Sequence, residues 1–200
     1  MKFEPLFELE RTGVQMEYYT NIPIVYPVHW HSAIELIYIL NGNAKIMIEG
    51  KDYPLIAGEF AVIDSNQMHR FKYLRESMMI VMHFSRSSMK NFVPLLEKYH
   101  FHCTKETLEK AQLKPYLKVC DLLRGLPPLH IMQPIGYKIK CHAIAMEVFF
   151  ELLNHFASQD ESVQKTEKSE ILNRLEEITG YIEEHHAEQL SLEQIASHFF

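Results

Sequence analysis

The stretch His29-Trp-His-Ser-Ala-Ile-Glu35-Leu-Ile-Tyr-Ile-Leu-Asn-Gly42-Asn43 decides how this chain is read. Its middle, residues 33–40, is rich in β-branched and aromatic residues and predicts a strand, and Asn41-Gly42-Asn43 is a turn signal that ends it. Side chains of equal parity share one face of a strand. His29, His31 and Glu35 therefore align with Ile37 and Ile39. A face lined by isoleucine is an inner face, so two imidazoles and a carboxylate are expected to point into an interior.

Working outward, residues 44–49 alternate, with Ala44, Ile46 and Ile48 against Lys45, Met47 and Glu49. Further short strands are expected at 53–56, 60–63, 69–73 and 78–84, with turns at 50–52 and 57–58 and a polar loop at 64–67. Many short strands at close spacing predict an antiparallel sandwich or barrel over residues 1–85. His69 shares its parity with Phe71 and Tyr73 and brings a third imidazole toward the same cavity. Tyr38, Phe60, Phe71 and Tyr73 are aromatic candidates to stack on a guest, with Phe71 and Tyr73 favoured by parity. Trp30 belongs to the opposite face, and His83 is a structural histidine that could line the cavity. Three His and one Glu converging in a barrel suit a divalent transition metal with open positions.

Beyond residue 85 the period becomes helical, broken by Pro94, Pro115, Pro127-Pro128 and Pro134. A helix is expected near 116–123 and a longer one over 134–157. The longer helix is apolar on most of its circumference, so one face has to be covered by something besides the barrel. It is the candidate dimer surface. The stretch 158–168 is polar and aperiodic and reads as a linker. A helical face follows over 169–186, and Ser191-Leu-Glu-Gln194 has the form of a capping box.

Composition excludes several classes. In 200 residues, 47% are apolar and 23% charged, the balance of a globular chain. The three cysteines lie in no paired motif and predict a reducing compartment. No signal peptide is expected, and the longest apolar stretch, 143–153, is interrupted by Glu147 and Glu151 and is too short to span a membrane. A soluble, cytoplasmic chain is therefore expected. The net charge of −6 comes from residues 166–200, which hold eight acids and two bases. Neither part of the chain has a basic surface for phosphates.

The motif His29-x-His31-x3-Glu35-x6-Gly42 resembles the first motif of the cupin superfamily. Pro54 to Gly58 followed by His69 is similar to the second motif, without the Asn that often follows its His. The order of barrel, helices and Ile178 to Ala196 resembles AraC-type transcription regulators. The implied fold is α+β: a cupin, or double-stranded β-helix (jelly-roll barrel), then helices, then two helices of an incomplete helix-turn-helix domain. The resemblance divides the chain into an effector-binding barrel (1–88), a helical dimerisation region (89–158), a linker (159–168) and the truncated start of a DNA-binding domain (169–200).

The implied function is sensing of a small effector, such as a sugar, by a homodimer. Promoter DNA would be bound by the full-length protein and not through this chain, and no membrane is involved. The effector-binding residues implied are His29, His31, Glu35, His69, Phe71 and Tyr73. No cofactor is expected on this reading, although in cupin enzymes the residues matching His29, His31, Glu35 and His69 bind a divalent transition metal. The alternative is therefore a metal-dependent cupin enzyme, an isomerase or dioxygenase.

Overall fold

The computed structural model describes residues 2–3, 12–20, 27–73, 77–159, 171, 174–175, 177–178, 181–182, 185 and 190–199. Strands β1 (Lys2–Phe3), β3 (His29–Trp30), β8 (His69–Tyr73), β5 (Asn43–Ile48) and β6 (Lys51–Ile56) form one sheet in that order. The other sheet has the order β2 (Val14–Thr20), β9 (Met78–Phe84), β4 (Ile34–Asn41) and β7 (Phe60–Ile63). Apart from β1 beside β3, every pairing in the two sheets is antiparallel. β7, β8 and β9 keep the bounds expected from sequence. Gly42, at a φ of 77°, makes the turn between β4 and β5, in a conformation that costs glycine little.

Alternation decides what each face meets. Ile37, Ile39, Ala44, Ile46, Ile48, Leu55, Ala61, Ile63, Phe71, Met79 and Val81 form the cluster between the sheets. The even-numbered residues of β4 and β9 (Ile34, Leu36, Tyr38, Ile80, Met82, Phe84), with Phe60 and Val62, form a second cluster on the outside of the four-stranded sheet. A helical layer covers it: α1 (Arg86–Met89), α2 (Leu113–Arg124), α3 (Leu126–Met132) and α4 (Tyr137–His155). Tyr116 of α2 stacks on Phe60 with ring centroids 4.3 Å apart, and its hydroxyl accepts from Phe60 N and donates to Phe60 O. Tyr38 and Phe60 therefore face the helices and not the cavity, as their even parity requires.

The long helix is shorter than expected. It begins after Gly136, whose φ is 79°, and ends at His155. Ala157 leaves it for a strand, β11 (Ala157–Gln159), which pairs with β10 (Tyr99–Phe101). Ser158 and Gln159 thus belong to a strand that tethers the end of the helical region, and the rest of the expected linker lies outside the described residues. α4 buries Ile144, Ala145, Val148, Phe149 and Leu152, while Ile139 and Phe150 are exposed, so one of its apolar faces is uncovered.

Of the carboxy-terminal part, residues 171, 174–175, 177–178 and 181–182 are helical. α5 (Leu192–Phe199) starts at the expected capping box: Gln194 N donates to Ser191 Oγ, and Ser191 N donates to Gln194 Oε1. The three cysteines are free thiols. No helix among the described residues is long and apolar enough to cross a membrane.

Candidate metal and ligand centre

His29 and His69 are paired across β3 and β8, and Glu35 and His83 across β4 and β9. The two pairs meet inside the sandwich. His31, just before β4, lies between them: its ring centroid is 5.0 Å from both the His69 and the His83 rings. One ligand atom each from His29, His31, Glu35 and His69 lie within 4.8 Å of one another, and all four residues are buried. Phe71 follows on the same face, its ring centroid 5.8 Å from that of His69. The expected inward orientation of the odd-numbered residues holds. The side chain of Tyr73 lies outside the described part of the structure.

The backbone fixes how the imidazoles are presented. His29 Nδ1 donates to Pro27 O (2.9 Å), His31 Nδ1 to Ala33 O (3.2 Å) and His69 Nδ1 to Gln67 O (2.8 Å). A carbonyl only accepts, so each Nδ1 carries the proton and each Nε2 is left to the interior. His31 Nε2 and His69 Nε2 both stand 2.9 Å from Glu35 Oε2. Such contacts between lone pairs and a carboxylate oxygen need a positive charge among them, either a proton or a metal ion.

Electrostatics agree with that demand. Burial alone would raise the Glu35 carboxyl, but the charge of His69 and the hydrogen bonds of His31 and His69 hold it well below the usual carboxylate range. Burial, and then the charge of His69, push the His29 imidazole down to about 4. Burial likewise holds His83 at about 4, so both rings are neutral near pH 7. Two donor types, three neutral-capable nitrogens and one carboxylate, are a set that divalent transition metals accept. The residues present fit such an ion.

His83 completes the cluster from β9, with Nε2 3.8 Å from Glu35 Oε2. Its odd number, shared with Met79 and Val81, is the signal that places it inside. A further group was hidden from sequence. Arg86 donates to Ser65 Oγ, Asp64 Oδ1, Leu96 O and Tyr99 O, and His100 lies 3.1 Å from Asp64 Oδ2. The loop so anchored presents Asn66 N to His31 O and Gln67 O to His69. His100 therefore joins this structural group through Asp64.

Residues 23–84 match the cupin domain family, and the two-sheet sandwich is of that type, followed by helices. No curated protein matches the sequence. Solved structures similar to part of the chain include an RmlC-like cupin from Shewanella frigidimarina, at 15% identity and TM-score 0.35, covering 39% of this chain and 72% of its own. Oxalate decarboxylase from Bacillus subtilis is similar at 20% identity and TM-score 0.35, over 40% of this chain and 23% of its own. A cupin 2 conserved barrel domain protein from Salinispora arenicola is similar at 16% identity and TM-score 0.36, over 40% and 70%.

Proposed function

We propose that this chain is the ligand-sensing and dimerisation part of an AraC-type transcription regulator, and that its barrel holds a divalent transition metal beside a small effector. The observation that carries the site is the set of three Nδ1–H bonds to backbone carbonyls, which leaves Nε2 of His29, His31 and His69 to the interior with Glu35. Those four residues would hold the metal. When bound, it would supply a Lewis-acidic anchor for an oxygen of the ligand. The protein's own part is to exclude water by burial, to fix the ring orientations through Pro27, Ala33 and Gln67, and to contribute the Glu35 charge.

The sensor reading draws support from the elements beyond the barrel. A helical layer shares one apolar cluster with the outer sheet face, an apolar face of α4 is exposed, and a capped helix starts at Ser191. Two copies would pair through the α3 and α4 region, and the segment beginning at Ser191 would lead into the DNA-reading module. A second reading, a metal-dependent cupin isomerase or dioxygenase, is favoured by the same donor set, which leaves coordination positions open to a substrate.

The test is equilibrium dialysis of the chain and of its Glu35→Gln variant against Mn2+, Fe2+, Co2+, Ni2+ and Zn2+. One equivalent is expected in the native chain, with at least a tenfold loss of affinity in Glu35→Gln. No uptake, or equal uptake by both, overturns the site. Specific nanomolar binding of promoter DNA by these 200 residues alone overturns the sensor account. Turnover of a ligand by the loaded protein selects the enzyme reading.

A further inference from the structure

The inner face of β2 carries a second polar row that the cation cluster leaves unused. Val14, Met16 and Tyr18 pack toward the helical layer, whereas Tyr19 packs on the cluster between the sheets. Gln15 and Glu17 share the parity of Tyr19 and its face. The strand register sets Gln15 opposite His83, and His83 opposite Glu35. A polar row therefore runs from β2 across β9 to the cation cluster.

Two atoms of that row have no hydrogen-bond partner among the described residues and are shut off from solvent: Gln15 Oε1 and His83 Nδ1. The His83 side chain is 6% exposed, so its ring is buried. Unlike the other three imidazoles, it meets no backbone carbonyl at Nδ1. The orientation of Gln15 is set by Glu17, whose Oε1 accepts from Gln15 Nε2 (3.1 Å) and whose Oε2 accepts from Tyr19 Oη (2.6 Å). A carboxylate that already accepts at both oxygens holds the amide by its nitrogen and leaves the amide oxygen free. Buried polar atoms of native proteins are almost always satisfied, so a pair left open beside a candidate site calls for a partner.

The guest's chemistry is dictated by these atoms. Gln15 Oε1 can only accept, so the guest must donate through O–H or N–H. Glu17 and Glu35 flank the row, which opposes a carboxylate at this end of the guest. β2 is an edge strand of its sheet and half-buried along Val14 to Tyr19, so this row lies at the margin of the sandwich.

We infer that Gln15 and His83 form a recognition subsite that takes the hydroxyl- or amine-bearing end of a small uncharged ligand, whose other end reaches the cation held by His29, His31, Glu35 and His69. This rests on the metal reading of the site and adds the residues that choose the ligand.

The test uses the full 200-residue chain loaded with Co2+, whose visible spectrum reports its ligands. It is titrated with N,N-dimethylglycolamide (the glycolamide) and with N,N-dimethyl-2-methoxyacetamide (the ether), which keeps the carbonyl oxygen and has no O–H or N–H left to donate. The glycolamide is expected to bind at least about fivefold more tightly. Gln15→Met, matched in length, should erase that preference while leaving the Co2+ spectrum of the ligand-free protein unchanged. In 15N-histidine spectra of the Zn2+-loaded chain, the glycolamide should move the His83 Nδ1 resonance and the ether should not.

Equal affinities for the two amides overturn the subsite. So does a preference that survives in Gln15→Met, or binding of neither amide by protein that holds Co2+. Failure of the native chain to take up Co2+ overturns the metal reading itself, and this inference with it.

Discussion

Arg86 donates from Nη2 to Asp64 Oδ1 across 2.6 Å, and through this ion pair the first helix after the barrel grips the loop that leads into His69. Both side chains are largely buried, at 16% and 7% exposure, and the guanidinium donates to three further acceptors. Removing one partner of such a pair strands the other, at a cost of about 3 kcal/mol. Arg86→Met is expected to destabilise the chain by that amount in urea titrations and to weaken Co2+ binding, although Arg86 touches no candidate ligand. Arg86→Lys should not restore either, because an ammonium cannot reach four acceptors in one plane. Unchanged Co2+ affinity in a folded Arg86→Met protein would show that the loop holds His69 without the clamp.

Stability of the metal-free chain should depend on pH through the buried histidines. His29 and His83 lie at about 4 in the folded chain, against an ordinary 6.5. Between pH 6.5 and 4 the unfolded chain binds protons that the folded chain refuses, so stability falls as pH falls through that window. For His83 the shift corresponds to roughly 3 kcal/mol. Glu35, held well below its usual range, acts with the same sign: its contribution is present above the ordinary carboxylate value and disappears as pH falls through the folded one. Thermal melts should give a Tm that is steady from pH 8 to 7 and drops between 6.5 and 4. The drop should be shallower in His83→Phe, and a flat profile would contradict the burial of these rings as neutral groups.

Tyr116→Phe tests the seam between barrel and helices. The hydroxyl accepts from Phe60 N at 2.9 Å in a fully buried position. Its loss leaves a buried amide without a partner, which costs about 1–3 kcal/mol. The midpoint of chemical unfolding should fall by that amount with no change in Co2+ affinity, since Phe60 faces away from the cluster. A neutral effect would mean that water replaces the hydroxyl.

Ile131, Met132, Ile135 and Ile139 are each more than three-quarters exposed. If α3 and α4 pair two copies, Ile139→Glu should turn a dimer into a monomer in sedimentation velocity, while its circular dichroism stays native. A native chain that sediments as a monomer, or an Ile135→Glu, Ile139→Glu double variant that stays dimeric, rules out this surface.

Much of the sandwich was legible because its strands alternate strictly. The odd-numbered members of 29–39 face inward, as Ile37 and Ile39 in the interior cluster demonstrate, and His29, His31, Glu35 and His69 meet there. What could not be read depends on contacts distant in the chain. Arg86, Asp64 and His100 come together only through the turn into α1, and nothing in their local spacing signals it. Tyr38 and Phe60 looked like cavity aromatics by proximity alone, but parity turns them to Tyr116 and the helices. β10 and β11 pair across more than fifty residues, so Ser158 and Gln159 read as linker until their partner strand is known. Gln15 and Glu17 carry no motif, and only the register of β2 against β9 reveals their place.

Strand β4 presents Glu35 and Ile37 to the interior and Leu36 and Tyr38 to the helical layer. One backbone thus separates the buried His and Glu cluster from the helices. A displacement of that backbone to suit an occupant shifts both sides together, because side chains one residue apart cannot move independently of the peptide between them. The device needs no lever or hinge: occupancy would be communicated through the thickness of a single sheet.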